Sequence, residues 1–221
     1  MMKYLFSIFV LITFNMSCTS CDSISPVEKC SRDFLFSIPV TLSPALDTFR
    51  IGDTILVEMN FPIEMEDVNS GDTINMADFP FNTELALVKI DTNPSTNGNN
   101  IVEYFCFEGQ LNIQPLTGGG QAVQIQFAKD TTSFSFACKI LLKKKGVFAI
   151  GYGSYFLDEF DGELEIGCRT SSVDISYPLT IKNGTDSYNY HLIQQSPNPN
   201  ISKITQETFD KYGEYAFVVI E

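Results

Sequence analysis

Apolar side chains recur at every second position along much of this chain, the spacing of a strand with one buried face. Phe34, Phe36, Ile38 and Val40 open the pattern, and Pro39 inside that run predicts an edge strand, since proline has no N–H to give to a ladder. Over 51–60, Gly52-Asp53 makes a turn, and Ile55, Val57 and Met59 then share one face. Further strands are predicted over 84–90, 101–108, 122–127, 133–142 and 147–154, parted by Asn, Gly, Pro and Asp clusters such as 93–100 and 118–120. The tail changes period. Residues 186–195, with Tyr190, Leu192 and Ile193, and 205–212, opening at Thr205 and closing at Gly213, read as short helices. Ser196-Pro197-Asn198-Pro199 between them reads as an extended linker, and Tyr215, Phe217 and Val219 as a last strand that returns to the sheet. Many strands, short turns and little helical period predict an all-β fold. The expected form is a single antiparallel β-sandwich, immunoglobulin-like arrangements included, with one or two short helices near the C-terminus.

The first residues follow a different pattern. Lys3 is the only charge before an apolar run over 4–14, which ends at Asn15-Met16-Ser17-Cys18. A basic start, about ten apolar residues and a small residue at the exit read as a secretory signal. The run is well short of the roughly 20 residues of a permanent membrane helix. Cys18 and Cys21 each follow a serine, which resembles the lipobox cut by lipoprotein signal peptidase, although the aliphatic residue usual three places earlier is absent. Cys18, nearer the apolar run, is the expected lipidation site and Cys21 the alternative. Thioether-linked diacylglycerol with an N-acyl chain would anchor the protein stably in a bilayer. The expected organisation is therefore a signal peptide over 1–17, a flexible tether over 18–29 and a globular domain over 30–221. The expected location is the cell envelope, lipid-anchored at the outer membrane, on either its periplasmic or its surface face.

Removal of the signal leaves 13 Lys and Arg against 27 Asp and Glu, a net of 13 − 27 = −14. Such a surface repels nucleic acid and anionic headgroups, so no nucleic-acid partner is expected. Lys143-Lys144-Lys145 reads as a solvated turn before a strand. About 200 residues are enough for one core, to which 19 Phe contribute much of the bulk; the lack of Trp weakens a glycan-stacking role. Export also places Cys30, Cys106, Cys138 and Cys168 where disulfides persist. Four cysteines allow three pairings, and sequence does not choose among them. A bond between Cys30 and Cys168 is the expected one, while Cys106 and Cys138 are left either bonded or as small buried hydrophobes.

Several segments together carry a resemblance: Cys30 with Phe34-Leu35-Phe36-Ser37-Ile38-Pro39, Asp47-Thr48-Phe49-Arg50-Ile51-Gly52-Asp53-Thr54-Ile55, Lys143-Lys144-Lys145-Gly146 to Gly151-Tyr152-Gly153-Ser154, and Tyr212-Gly213-Glu214-Tyr215-Ala216-Phe217. In this order they resemble a family of uncharacterised lipoproteins of Bacteroidota bacteria. The resemblance covers most of the mature chain; it implies location and class, and no activity.

Candidate chemistry is sparse. His191 is the only histidine, and no Gly-x-Ser-x-Gly elbow offers it a nucleophile, so no catalytic residue is assigned. The cysteines include no close-spaced ligand pair within the domain, so no metal is expected either. Asp158-Glu159-Phe160-Asp161-Gly162-Glu163-Leu164-Glu165 gathers five carboxylates of the kind that suit Ca²⁺, but without EF-hand spacing, and reads as a solvated hairpin. Gly118-Gly119-Gly120 and Gly151-Tyr152-Gly153 lack the following helix and lysine of a phosphate loop and read as a hairpin loop and a strand bend. Asp22-Ser23-Ile24 resembles the O-glycosylation motif of Bacteroidota, which makes Ser23 a candidate for modification; Asp53-Thr54-Ile55 and Asp72-Thr73-Ile74 repeat the pattern. No cofactor is implied. The functional expectation is a binding or structural module, such as an accessory subunit of an outer-membrane complex. The alternatives are a hydrolase using two carboxylates in a cleft, and a glycan-binding protein displaying Tyr152 and Tyr155.

Overall fold

The computed structural model describes residues 30–92, 96–97, 101–115, 121–154, 164, 168–182 and 188–221. In chain order the strands are β1 (Cys30–Ser37), β2 (Val40–Ser43), β3 (Thr48–Arg50), β4 (Thr54–Pro62), β5 (Glu64–Glu66), β6 (Thr73–Asn75), β7 (Thr83–Lys89), β8 (Thr96–Asn97) and β9 (Val102–Glu108). They continue with β10 (Gln110–Pro115), β11 (Gln121–Gln126), β12 (Ala128–Lys129), β13 (Ser133–Leu142), β14 (Gly146–Ser154), β15 (Cys168–Ser176), β16 (Leu179–Ile181) and β17 (Tyr215–Ile220).

These strands build a β-sandwich. One sheet runs β10-β11-β7-β14-β17-β3, with β8 added to β7; the other runs β12-β13-β4-β2-β16, with β9 added to β13. Their inward positions supply one core, in which Ile55, Val57 and Ile140 of one sheet and Phe148, Ile150 and Phe217 of the other are buried. Alternation is what makes this work: β4 buries Ile55, Val57, Met59 and Phe61 and turns Glu58 and Asn60 outward. Each fully buried Phe contributes about 1.5–3 kcal/mol through the apolar area it removes from water. Phe61 also meets Phe81, Phe127 and Phe134 with ring centroids 5.0–5.3 Å apart.

The strand pairing departs from the sequence reading in two details. The run from Phe34 to Val40 is not one edge strand, because the chain breaks at Ile38-Pro39 and its halves join different ladders. β1 pairs with β15, and β2 lies between β4 and β16. The pairing is also not wholly antiparallel: β2 with β16 and β3 with β17 run parallel within the two large sheets, and β1 with β15 form a separate parallel pair. Parallel neighbours need long crossovers, and here the intervening chain supplies them: β17 returns only after the helical tail, and β15 and β16 only after β14.

Cys106 of β9 and Cys138 of β13 are bonded, which resolves the alternative left open by the sequence. They are direct cross-strand partners with Cα atoms 3.9 Å apart. In the other ladder the backbone register sets Cys30 opposite Cys168.

Three short helices cover part of the outer face of the larger sheet: α1 (Tyr190–Gln194), α2 (Pro199–Ser202) and α3 (Gln206–Lys211). Residues 196–199 are thus not simply an extended linker. Pro199 occupies the first helical position, where its missing N–H costs nothing, and the Asn198 side chain accepts from Asn200 N–H at 3.0 Å. Thr205 caps α3 as its sequence suggested, accepting from Thr208 N–H at 3.2 Å. The cap has a small core of its own, in which Ile193 and Phe209 bury against Ile90 and Ala216. Polar anchors tie it down: Ser196 Oγ donates to the Ile90 carbonyl at 2.6 Å, and Asn189 Nδ2 to the Ala216 carbonyl at 2.9 Å.

Candidate functional site

Between this helical cap and the outer face of the larger sheet lies a groove of about 350 Å³. Its floor follows from the alternation of β14. Phe148, Ile150 and Tyr152 point into the sandwich, so Ala149, Gly151 and Gly153 face out beneath the cap. On the neighbouring strand the outward set is Glu84, Ala86 and Val88, paired in register with Gly153, Gly151 and Ala149. Small residues therefore fill the middle of the floor, and an added Cβ at Gly153 would meet nothing within 4 Å. The walls are aliphatic, from Ile193, Ile201 and Ile204 of the cap segment.

One end of the groove is polar. Glu214 lies next to β17 in the Gly213-Glu214 turn that closes α3, held by its own N–H donating to the Phe209 carbonyl at 3.0 Å. Gly213 has φ of +55°, the left-handed region that glycine enters freely, and an added Cβ there would collide with the Tyr177 carbonyl. The Glu214 side chain then lies over Gly151, whose Cβ, if present, would come within 2.8 Å of Glu214 Cγ. Burial pushes the Glu214 carboxyl up to about 7, because no hydrogen bond or ion pair among the described residues offsets its desolvation. Glu84 lines the same groove and has an interaction of its own. No Lys, Arg or His lines the groove among the described residues.

Tyr152 closes the floor from the core side. It is buried, with 3 % of its surface exposed, its hydroxyl has no hydrogen-bond partner among the described residues, and its ring lies 5.8 Å from that of Tyr177. Burial drives its ionisation far above the usual tyrosine range. A glycan platform built on Tyr152 is therefore excluded by its orientation: alternation sends this ring inward, and Tyr155 lies outside the described residues.

The other residues singled out in the sequence lie elsewhere. Cys18, Cys21 and Ser23 lie outside the described residues, as does the acidic run 158–165 apart from Leu164. His191 is exposed on α1. Lys143 pairs with Glu103 at 3.3 Å and Lys145 with Glu221, and Lys143, Lys144 and Lys145 are all exposed, as expected of a solvated turn. Among the described residues no three His, Cys, Asp or Glu gather as a metal site would need. No helix among them is long and apolar enough to cross a membrane.

Another carboxylate cluster is structural. Asp67 is fully buried, and burial would raise its pKa, but donors outweigh it: Leu35 N–H at 2.9 Å, Ser70 at 2.7 Å, Asn69 N–H at 3.2 Å and Arg32 at 3.0 Å. Its carboxyl is held below the usual range. Arg32 also reaches Asp72 at 2.8 Å, so this guanidinium ties the turn before β6 to β1.

Glu84, Gly151, Gly153 and Glu214 were not read as a site from the sequence. The available signal was the run Ala149-x-Gly151-x-Gly153, three small residues on one face of a strand, which indicates that something packs close above them.

No protein-family model and no curated protein matches the chain. Among solved structures, it is similar to a type II cohesin domain from the cellulosome of Acetivibrio cellulolyticus, at 13% identity and a TM-score of 0.29, over 65% of this chain and 91% of that one. It is also similar to the type II cohesin dyad from the adaptor ScaA scaffoldin of the same organism, at 12% identity and a TM-score of 0.26, over 66% of this chain and 47% of that one. The class of the protein, an all-β sandwich with a three-helix cap, is defined by its own strand ladders.

Proposed function

We propose that this protein is a lipid-anchored cell-envelope protein whose sandwich acts as a binding module, with the groove under the helical cap as its binding site. The observation that carries the binding role is the groove itself: a concave, mainly apolar surface with a few convergent polar groups, the usual make-up of a small-ligand site. The anchor rests on the apolar run and Cys18, and the tether would hold the domain clear of the bilayer. A partnership with an outer-membrane complex fits that location.

Two experiments test this reading. Mass spectrometry of the native protein after mild-detergent extraction is expected to find acylated Cys18; an unmodified N-terminus would remove the anchor. A fluorescent apolar probe is expected to bind the wild type and be excluded by Gly153→Val, whose Cβ would stand in open space on the floor and carry two methyl groups into the groove. Equal binding by both proteins would remove the groove from the argument. The same mass spectra would show whether Ser23 carries a glycan and whether Cys30 is joined to Cys168, both of which we also propose.

A second reading has an observation of its own. Glu84 and Glu214 share one groove, and Glu214 titrates near neutrality, as a general acid would. Hydrolysis of envelope polymers by the wild type, lost in both Glu84→Gln and Glu214→Gln, would establish that reading; no turnover would leave binding.

A further inference from the structure

We propose that the groove binds a small aliphatic amine, its chain on the floor of Ala86, Ala149, Gly151 and Gly153 and its ammonium group at the Glu214 carboxylate. The proposal rests on the groove being a binding site and names the chemistry it takes. Floor and wall select the aliphatic part, because between Glu84 and Glu214 they offer mainly methyl and methylene surface. The volume, about 350 Å³, is at the lower end of the 300–1,000 Å³ typical of small-molecule sites, too little for a helix or a strand of a partner.

Charge complementarity selects the cation. Glu214 is a largely desolvated carboxylate that accepts no hydrogen bond and forms no ion pair among the described residues. The nearest cation along the chain, Lys211, is committed to Asp174 at 2.5 Å. An ammonium group entering from solvent would supply the partner that the described residues do not, and such charge-assisted bonds are the stronger kind. A carboxylate ligand would instead meet the like charge of Glu214, and a neutral alcohol would gain only the apolar contact.

Among the described residues, the titratable groups that line the groove with Glu214 are Glu84 from β7, Tyr212 after α3, and Tyr152, whose ring lies beneath the floor on the core side; none of them is cationic. Alkylamines stay protonated up to about pH 10, as lysine does. Affinity for an amine is therefore expected to rise between pH 6 and pH 8, as Glu214 ionises, while affinity for an alcohol stays level.

The test uses the full purified chain and three probes of equal length, pentylamine, 1-pentanol and pentanoate, followed by NMR shifts or calorimetry at pH 6 and pH 8. At pH 8 pentylamine is expected to bind about tenfold more tightly than 1-pentanol, and pentanoate not at all. Glu214→Gln is expected to erase the preference for the amine and leave the alcohol unaffected, and Gly153→Val to erase both. Equal binding of amine and alcohol by the wild type would overturn the amine assignment while leaving the groove as a binding site. Binding by none of the probes would overturn both the amine and the groove. Tighter binding of Nα-acetyl-lysine methylamide than of pentylamine would overturn the small-molecule assignment in favour of a polypeptide lysine.

Discussion

Glu214 and Asp67 are both carboxylates in covered positions, and their surroundings send them in opposite directions. Burial desolvates Glu214 and no donor among the described residues offsets it, so its carboxyl is pushed up from its ordinary 4.5 to about 7. The folded state then binds the proton more tightly than the unfolded one, and stability falls as pH rises from about 4.5 to about 7. Glu214→Gln is accordingly expected to stabilise the protein by about 1–2 kcal/mol at pH 8, after discounting for partial solvent screening, and by little at pH 4. Urea unfolding at the two pH values checks this; equal effects at both would disprove the assigned burial. Asp67 has the reverse sign. Its donors hold the folded pKa low, so its contribution is present above the ordinary carboxylate range and is lost as pH falls through the lowered value. Asp67→Asn removes the charge that Arg32 and two backbone N–H groups rely on, with an expected loss of about 2–4 kcal/mol at pH 7.

At the scale of elements, the helical cap is the part most easily detached. Its helices have five, four and six residues, too short to be stable by themselves. They persist because Ile193 and Phe209 are buried on the sheet and because Asn198 and Thr205 satisfy first-turn N–H groups. Thr205→Ala is expected to cost about 1 kcal/mol, and Phe209→Ala about 3–5 kcal/mol. Hydrogen exchange should show the loss first in the segment 189–214, with β4 and β13 keeping their protection. If protection fell equally in the sheets, the cap would be part of the main cooperative unit and the groove could not open independently.

For the whole molecule, covalent closure supplements a core already rich in phenylalanine. The bond between Cys106 and Cys138 spans 32 residues, which in chain-entropy terms stabilises by roughly 3–4 kcal/mol. A Cys106→Ala, Cys138→Ala double variant is expected to show a fall of about that size in unfolding free energy, and reductant should shift the wild type toward it. A variant as stable as the wild type would mean that strand pairing between β9 and β13 already fixes the loop.

Much of this architecture was legible in the sequence because strand burial has a period of two, and side chains follow it whatever the partner strand. The strands over 84–90, 101–108, 122–127, 133–142 and 147–154 fall within a residue of those observed, and the last strand returns to the sheet as its alternation implied. Thr205 and Gly213 marked their helix because capping is local chemistry. Other features depend on partners distant in the chain, and only the tertiary structure decided them. Pro39 signalled a ladder defect, but not that β1 and β2 would join different ladders, two of whose partners run parallel. Four cysteines allowed three pairings, and only strand register brought Cys106 to Cys138. Gly151 and Gly153 read as a bend until Tyr152 was seen to point inward, and Glu214 had no distinguishing neighbour in sequence. Its chemistry arises from desolvation over Gly151 and beneath the cap, and desolvation is set by what folds over a residue, not by what precedes or follows it.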